Sequence, residues 1–240
     1  MNRTVSTRAR TVCAAAAAAC IVSVTPAGAT VLTFDITGIA DNFEVNQAYG
    51  DRVADSFADA VGTYGSGGSA TPNVAVDYAG NTVQTYINGY SDLTNVVLDG
   101  NDGADLVITF IADAGFEVGL FGLDIGSCEG NLNGCVGANN PFDVIVTGGT
   151  KGQLFSQEVI ANSTTATPVS FGPAGVFDTS LTLTLGVSVL GIGSDGIAVD
   201  NIAFGQRVAQ PAAIPLPAPA LLLLGGLGAL GGLARLRRTS

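Results

Sequence analysis

The alternation of apolar and polar side chains along residues 180–189 restricts the possible folds more than any other feature of this sequence. Leucine or valine occupies every second position, and serine or threonine lies between them, with one glycine interrupting. A period of two is typical of a β-strand with one buried and one exposed face. Segments of similar composition predict further strands at 31–37, 73–78, 83–87, 105–111, 116–125, 142–147, 153–160 and 196–204.

Turns rich in glycine and aspartate separate these predicted strands. Such turns lie at 99–103, 148–149 and 193–196. Helical spacing is confined to Val53, Phe57 and Val61. Many short strands with one apolar face pack best as two antiparallel sheets. We therefore predict an all-β domain over 30–208, a jelly-roll-like β-sandwich, with an immunoglobulin-like sandwich as the alternative.

The C-terminus combines a short proline motif, an apolar segment and a basic end. The motif is Pro215, Leu216, Pro217 and Ala218, residues 218–233 carry no charge, and Arg235, Arg237 and Arg238 follow. A helix over these sixteen residues spans about 24 Å, against about 30 Å for a bilayer core. Because the segment is apolar all round, we predict a transmembrane helix at 218–234 rather than a buried helix of the domain. The arginines would stay on the cytoplasmic side.

Residues 1–29 follow the pattern of a secretory signal peptide. Three arginines precede an alanine-rich apolar stretch at 11–24, and small residues end the segment. We predict a signal helix and cleavage between Ala29 and Thr30, with export of the body. A lipoprotein attached through Cys20 is the alternative, although the alanines before Cys20 lack the large aliphatic residue usual there.

The C-terminal arrangement resembles the PEP-CTERM class of protein-sorting tails, in the variant with a Val-Pro-Leu-Pro-Ala motif; Ile214 replaces the valine here. The resemblance implies sorting at a bacterial envelope by an exosortase-like membrane protease, often in connection with exopolysaccharide. Residues 209–240 would form a linker and sorting tail that anchors the protein at least transiently. The body is also similar to exported β-sandwich domains of that class, at 49–53, 71–74 and 197–202.

The body is strongly acidic once both ends are set aside. Between residues 30 and 210, 20 acidic side chains face three cations, Arg52, Lys151 and Arg207, which gives a formal charge of −17. Nucleic acids and anionic membrane surfaces are bound through basic patches, so the composition argues against both as partners of the body. It favours a solvated surface that attracts cations.

Asp200 is predicted to share a strand face with Ala198, Ile202 and Phe204. A buried carboxylate is costly unless it is hydrogen-bonded, paired or bound to a metal. Hydrogen bonds from backbone N–H groups, or an ion pair with Arg52 or Arg207, would satisfy it.

A structural calcium ion is the other possibility for Asp200. The strand at 197–202 resembles the last strand of many galactose-binding-type jelly rolls, and in some of these an aspartate there binds calcium. Asp35 is the candidate co-ligand, because first and last strands often lie close in a sandwich. The acidic turn at 99–103 lacks the later ligands of an EF-hand loop and is predicted to be a hairpin turn.

Two cysteines remain in the body, Cys128 and Cys135. An exported protein meets an oxidising environment, so we predict a disulfide between them. Zinc is the weaker interpretation, because two more ligands would be needed and the chain has no histidine.

The absence of histidine excludes Ser-His and Cys-His nucleophile pairs. Glycines 191, 193 and 196 match a dinucleotide-binding fingerprint, but no helix is predicted after them. The neighbouring acids Asp51, Asp55 and Asp59 are predicted to be solvated loop residues. We therefore predict a non-catalytic protein without an obligate cofactor, the alternative being a glycan hydrolase with paired carboxylates.

An association with polysaccharide would require aromatic rings that stack on sugars. The chain has no tryptophan and five tyrosines. Tyr86 and Tyr90 flank a polar turn and are the candidate ligand-binding pair. Ordinary packing with the hydroxyl at the surface is the alternative for each.

Overall fold

The computed structural model describes residues 29–36, 40–53, 65–66, 70–79, 83–86, 90–99, 105–128, 141–186 and 197–210. Every regular element within them is a β-strand. In this part of the chain no helix has the length and apolar character needed to cross a membrane. The predicted signal helix and the predicted membrane helix at 218–234 lie outside the described residues.

Fourteen strands are described. They are β1 (Thr30–Leu32), β2 (Phe43–Glu44), β3 (Gly65–Ser66), β4 (Val74–Tyr78), β5 (Val83–Tyr86), β6 (Val96–Asp99), β7 (Leu106–Ala112), β8 (Phe116–Ser127), β9 (Pro141–Gly148), β10 (Gly152–Ile160), β11 (Thr167–Ser170), β12 (Val176–Asp178), β13 (Ser180–Gly186) and β14 (Ile197–Val208).

The strands form two antiparallel sheets, which confirms the predicted fold class at that level. The larger sheet has nine strands, and six of them follow the order β11-β8-β14-β6-β5-β2. Of the other three, β1 pairs with β14, β12 pairs with β8, and β3 pairs with β1. The smaller sheet has five, in the order β10-β9-β13-β7-β4. All nine predicted strands are present, whereas β2, β3, β6, β11 and β12 were not predicted.

Both sheets contribute side chains to one main core. The rings of Phe110 in β7 and Phe204 in β14 lie 5.1 Å apart and are fully buried. On β13, Leu181 and Leu183 are buried and Thr182 between them is half-buried, as the alternation predicts. Burial of these apolar faces is the dominant favourable term holding the sheets together.

A β-bulge interrupts β14 in its middle. The pairing of β14 with β8 shifts between Asp200 and Ala203, and Asn201 has a φ of 51°. Val199 and Ile202 consequently both belong to the main core although they are three residues apart. A regular strand would point them to opposite faces.

The bulge makes one prediction wrong. Ala198 belongs to a separate, smaller cluster with Tyr90 and Val96, whereas Ile202 belongs to the main core. Since residues two apart share a face before the bulge, Asp200 lies on the side of Ala198, the outer face of the nine-stranded sheet. Asp200 therefore does not share a face with Ile202.

Candidate functional site

Three carboxylates gather at the bulge. Asp124 of β8 lies directly opposite Asp200 of β14. Asp35, which follows β1, is close enough to act electrostatically on Asp200, as does Asp124. We refer to Asp35, Asp124 and Asp200 as the acid cluster. It contains both predicted calcium ligands, Asp35 and Asp200, and one residue that sequence reasoning missed.

Asparagine side chains and a backbone amide hold the acid cluster. Asn95 Nδ2 donates to Asp35 Oδ1 at 2.7 Å, and Asn201 Nδ2 donates to Asp124 Oδ2 at 3.0 Å. The backbone N–H of Asn201 donates to Asp200 Oδ1 at 2.6 Å. Amide donors suit ionised carboxylates, so Asp35 and Asp124 are oriented without any cation.

Left-handed backbone conformations occur at residues next to the cluster. Phe34, Asn95 and Asn201 have φ values of 50°, 59° and 51°. Asparagine tolerates this region, but a phenylalanine there is strained. Packing compensates at Phe34, whose ring lies 5.3 Å from that of Tyr49 and whose N–H donates to the Tyr49 hydroxyl at 2.9 Å. The buried pair thereby fixes the position of Asp35.

Asp200 is the unusual member of the cluster. Its residue is only 5% exposed, and its one hydrogen bond among the described residues comes from Asn201. Burial, with smaller contributions from the charges of Asp35 and Asp124, raises the pKa of Asp200 to about 8, against the effect of the Asn201 amide. At neutral pH the carboxyl group is therefore protonated in the absence of a cation.

The predicted ion pairs of Asp200 with arginine do not form. Arg52 is paired with Asp113 through two hydrogen bonds of 2.6 and 2.9 Å. Arg207 is paired with Glu117. The predicted backbone N–H donor is present, but it satisfies only one of the two oxygens.

The acid cluster offers the oxygen donors that calcium prefers. Nevertheless, in the described part of the chain no three acidic, cysteine or histidine side chains are arranged to hold a metal ion. Asp200 and Asp124 lie opposite each other on the neighbouring strands β14 and β8, and each of the three carboxylates accepts a hydrogen bond from an amide. A calcium ion would have to draw the three carboxylates together and displace the proton of Asp200.

The tyrosine pair lies on the same face as the acid cluster. Tyr86 and Tyr90 pack edge to face with ring centroids 5.9 Å apart, in the smaller cluster that also contains Ala198. Tyr90 is only 3% exposed, so its ring cannot stack on a ligand. Tyr86 is half-buried, and its hydroxyl hydrogen-bonds to Asn42 Oδ1.

A groove of about 610 Å³ runs along the edge of the nine-stranded sheet at β2 and β5. It is lined by residues 42–47 together with Val83 and Gln84. Phe43 is 56% exposed, and the polar side chains around it are amides and one carboxylate, Glu44. Asn42 joins this groove to the tyrosine pair. The combination of an exposed ring and several hydrogen-bonding side chains is suited to a hydroxyl-rich ligand.

Sequence reasoning missed Phe43, because a two-residue strand gives no periodic signal. The stretch Asn42-Phe43-Glu44 does place one aromatic residue among polar ones, which is the pattern of an exposed ring. Asp124 was missed because it lies inside a strand that otherwise appears ordinary.

Several predicted site residues fall at or beyond the limits of the described chain. The sorting motif at 215–218, Cys135, Asp55 and Asp59 lie outside it, so the Cys128–Cys135 disulfide stays a prediction. Thr30 is the first residue of β1 and fully buried. Asp51 is not a free loop acid, since Oδ1 accepts the N–H of Val76 at 2.6 Å.

No protein-family model and no curated protein matches this chain. Among solved structures, the arabinose-bound α-L-arabinofuranosidase MgGH51 is similar at 10% identity and a TM-score of 0.38, over 75% of this chain and 27% of that enzyme. The GH26-CBM35 β-(1,4)-mannanase of Podospora anserina is similar at 13% identity and a TM-score of 0.30, over 58% of this chain and 29% of that protein. The chain thus spans less than a third of the length of either enzyme, and likeness of this degree assigns no activity.

Proposed function

We propose that this protein is a non-catalytic carbohydrate-binding protein of the cell envelope or extracellular matrix. The observation that carries the proposal is the exposed ring of Phe43 in a groove of polar side chains. An aromatic face stacks on the C–H surface of a sugar ring, and the surrounding amides of Asn42, Asn46 and Gln84 can exchange hydrogen bonds with hydroxyl groups.

The charge of the groove narrows the class of glycan. Among the described residues that line it, Glu44 is the one charged side chain, and it is negative. The three cations of the described body are held by Asp113 and Glu117. A polyanionic glycan would therefore meet repulsion without compensation. Neutral or amine-bearing glycans are the expected ligands.

A glycan array with the exported body, followed by titration of any hit, tests the binding proposal. Phe43→Ala should weaken binding about tenfold or more, a loss of about 1.4 kcal/mol, and Phe43→Tyr should retain it. Ile111→Ala is the matched control, because Ile111 is 44% exposed on the other sheet. An array without hits, or a hit that Phe43→Ala leaves intact, removes the proposal.

We also propose export and sorting through the two termini, with a signal helix, a transmembrane helix at 218–234 and an exosortase-like protease as partner. The support is the motif at 215–218 and its flanking segments. Peptide mapping of the native protein from envelope and medium should find Thr30 as the first residue. Replacing Pro215 and Pro217 by alanine should leave the tail uncut. Recovery of the intact chain from the cytosol would contradict export.

We also propose a jelly-roll topology for the body.

Structural calcium at the acid cluster is a further proposal. Asp35, Asp124 and Asp200 would supply the oxygens, and calcium would neutralise carboxylates that otherwise repel one another. Saturation at about 100 times Kd should stabilise the fold by about 2.7 kcal/mol. Thermal unfolding in calcium, in magnesium and in chelator measures this for the parent and Asp200→Asn. No shift in millimolar calcium removes the site.

A glycan hydrolase remains the alternative function, and one observation favours it. A carboxyl group held protonated beside two carboxylates is the arrangement of a general acid, and Asp200 has that environment. Its burial argues against direct contact with a substrate. A reducing-end assay on any bound glycan separates the functions: release abolished by Asp200→Asn supports a hydrolase, and binding without release supports the binding protein.

A further inference from the structure

The two edges of the five-stranded sheet are treated differently. At the β4 edge, side chains from residues 47 and 51 occupy the backbone groups. Gln47 accepts the N–H of Tyr78 at 3.0 Å and donates to its carbonyl at 2.8 Å, and Asp51 accepts the N–H of Val76. These side chains imitate a neighbouring strand and close this edge to another chain.

The β10 edge has no such cover. β10 pairs with β9 alone, and among the described residues no hydrogen bond reaches its outer edge. The nine residues from Gly152 to Ile160 include no proline, lysine or arginine; of the devices that protect an edge they have one charged side chain, Glu158, and one register shift near their start. Gln157 and Glu158 are exposed, and so is Ile160 at 55%.

We propose that β10 pairs antiparallel with β10 of a second copy of this chain, which joins two five-stranded sheets into one of ten strands. The register shift between Gln153 and Phe155 limits the regular edge to residues 155–160. Phe155, Gln157 and Val159 lie on the core side, opposite the buried Val146, Val144 and Phe142.

The side chains select one register. Residues opposite each other in an antiparallel pair point to the same face of the sheet. The two protein copies therefore have their cores on the same side of the joined sheet only if one residue of β10 lies opposite the same residue of the second copy. Pairing centred on Glu158 opposes two carboxylates, which is unfavourable. Pairing centred on Ser156 sets Phe155 against Gln157.

Pairing centred on Gln157 sets Phe155 against Val159 of the second copy on both sides of the axis. Phe155 already packs on Phe171 at 4.9 Å, and Val159 is 4% exposed, so the new pair extends the existing core. Aromatic and β-branched residues form favourable cross-strand pairs. Glu158 then faces Ser156, and the two central Gln157 amides can hydrogen-bond and fix the register.

Sedimentation equilibrium of the full chain in detergent tests the proposal, with the monomer–dimer constant measured for three proteins. The parent should form dimers at micromolar concentrations. Gln157→Lys should raise the dissociation constant at least tenfold, because two ammonium groups would face each other. Asp77→Lys at the capped β4 edge is the matched control and should leave it unchanged. A strictly monomeric parent, or equal constants for parent and Gln157→Lys, overturns the proposal.

Cross-linking tests the register independently. Gln157→Cys should form an intermolecular disulfide under mild oxidation, because the two thiols would lie on the symmetry axis. Asp77→Cys, at an exposed position on the opposite edge, should remain uncrosslinked. Both variants replace exposed side chains, and a circular dichroism spectrum like that of the parent shows that they fold. Equal cross-linking of both variants contradicts pairing through β10.

Discussion

At the scale of single residues, Asp200 links the acid cluster to the stability of the fold. Its pKa of about 8 lies well above the ordinary value of 3.8, chiefly because the residue is buried. Between these values the folded protein keeps a proton that the unfolded chain has lost. Stability therefore falls as pH rises through this range, and the total is on the order of 5 kcal/mol.

Asp200→Asn should remove most of this pH dependence. In chelator, the variant is expected to unfold at a much higher urea concentration than the parent near pH 9, and the difference should be much smaller near pH 5. Asp124→Asn, which relieves only one repulsive neighbour, should give a smaller gain. Urea unfolding at the two pH values measures both. Equal stability of the parent at both pH values would show that Asp200 ionises freely.

The pKa of Asp178 is shifted in the opposite direction to that of Asp200. Burial by itself raises the pKa of Asp178, but hydrogen bonds from Thr150, Thr179 and Lys151 outweigh it and lower the pKa to about 2. The backbone N–H groups of these residues donate at 2.7 to 2.9 Å. The charged form thus stabilises the fold above pH 4, and this contribution is lost as pH falls through 2.

Asp178→Ala should destabilise the protein by on the order of 3 kcal/mol near neutral pH, because buried N–H groups lose their acceptor. The matched control is Asp77→Ala, since Asp77 is exposed and accepts no hydrogen bond among the described residues. Denaturant unfolding compares the two. A similar small loss for both would mean that solvent replaces the carboxylate.

At the scale of elements, a glycine lets β12 pack against β8. A Cβ on Gly119 would collide with the ring of Phe177. That ring also packs edge to face with Phe121 at 5.7 Å and lies 3.9 Å below the guanidinium of Arg207. Close approach of the two strands therefore depends on the missing side chain at residue 119.

Gly119→Ala should cost about 1–3 kcal/mol through overpacking. Gly186→Ala is the control, because there the nearest atom to an added Cβ is an Asp105 oxygen at 3.2 Å, on an exposed side chain that can move. Thermal unfolding ranks the two variants. A cost for Gly186→Ala as large as for Gly119→Ala would show that the Phe177 ring yields easily.

Elements with periodic sequence could be predicted, and those defined by their partners could not. β13 follows its alternation because one face meets the core, so periodicity alone identified it. β2 has two residues and exists through pairing with β5, which leaves no local signal. The bulge at Asp200 depends on register with β8, so the sequence suggested the wrong face. Two of the three residues of the acid cluster were predicted: Asp35 and Asp200 could be inferred from their strands, whereas Asp124 is identified only by its pairing with Asp200.

At the scale of the whole molecule, the groove that we propose binds glycan and the open edge belong to different sheets. The groove lies at β2 and β5 of the nine-stranded sheet, and β10 ends the five-stranded one. Pairing of two copies through β10 therefore does not cover the groove of either copy. A dimer with two grooves would hold a long polysaccharide by avidity even when each groove binds weakly.

The negative charge of the body opposes both the pairing of two copies and the folding of each. A formal charge of −17 between residues 30 and 210 makes the chain repel itself, and the three body cations already pair with Asp113 and Glu117. Sodium chloride shortens the range of repulsion from about 10 Å at 0.1 M to about 3 Å at 1 M. Both the unfolding temperature and the dimer fraction should therefore rise with salt.

Neutralising acids that lie outside the core, two of them exposed and one half-buried, should flatten that salt dependence. A triple variant with Asp77, Asp105 and Asp143 replaced by asparagine removes three charges from the five-stranded sheet and its margin. We expect its unfolding temperature to exceed that of the parent at low salt and to approach it at high salt, as screening replaces neutralisation. Scans in sodium chloride with chelator present keep any calcium effect separate. An unchanged salt slope in the triple variant would mean that the repulsion acts elsewhere in the chain, and a fall in stability with salt would contradict self-repulsion altogether.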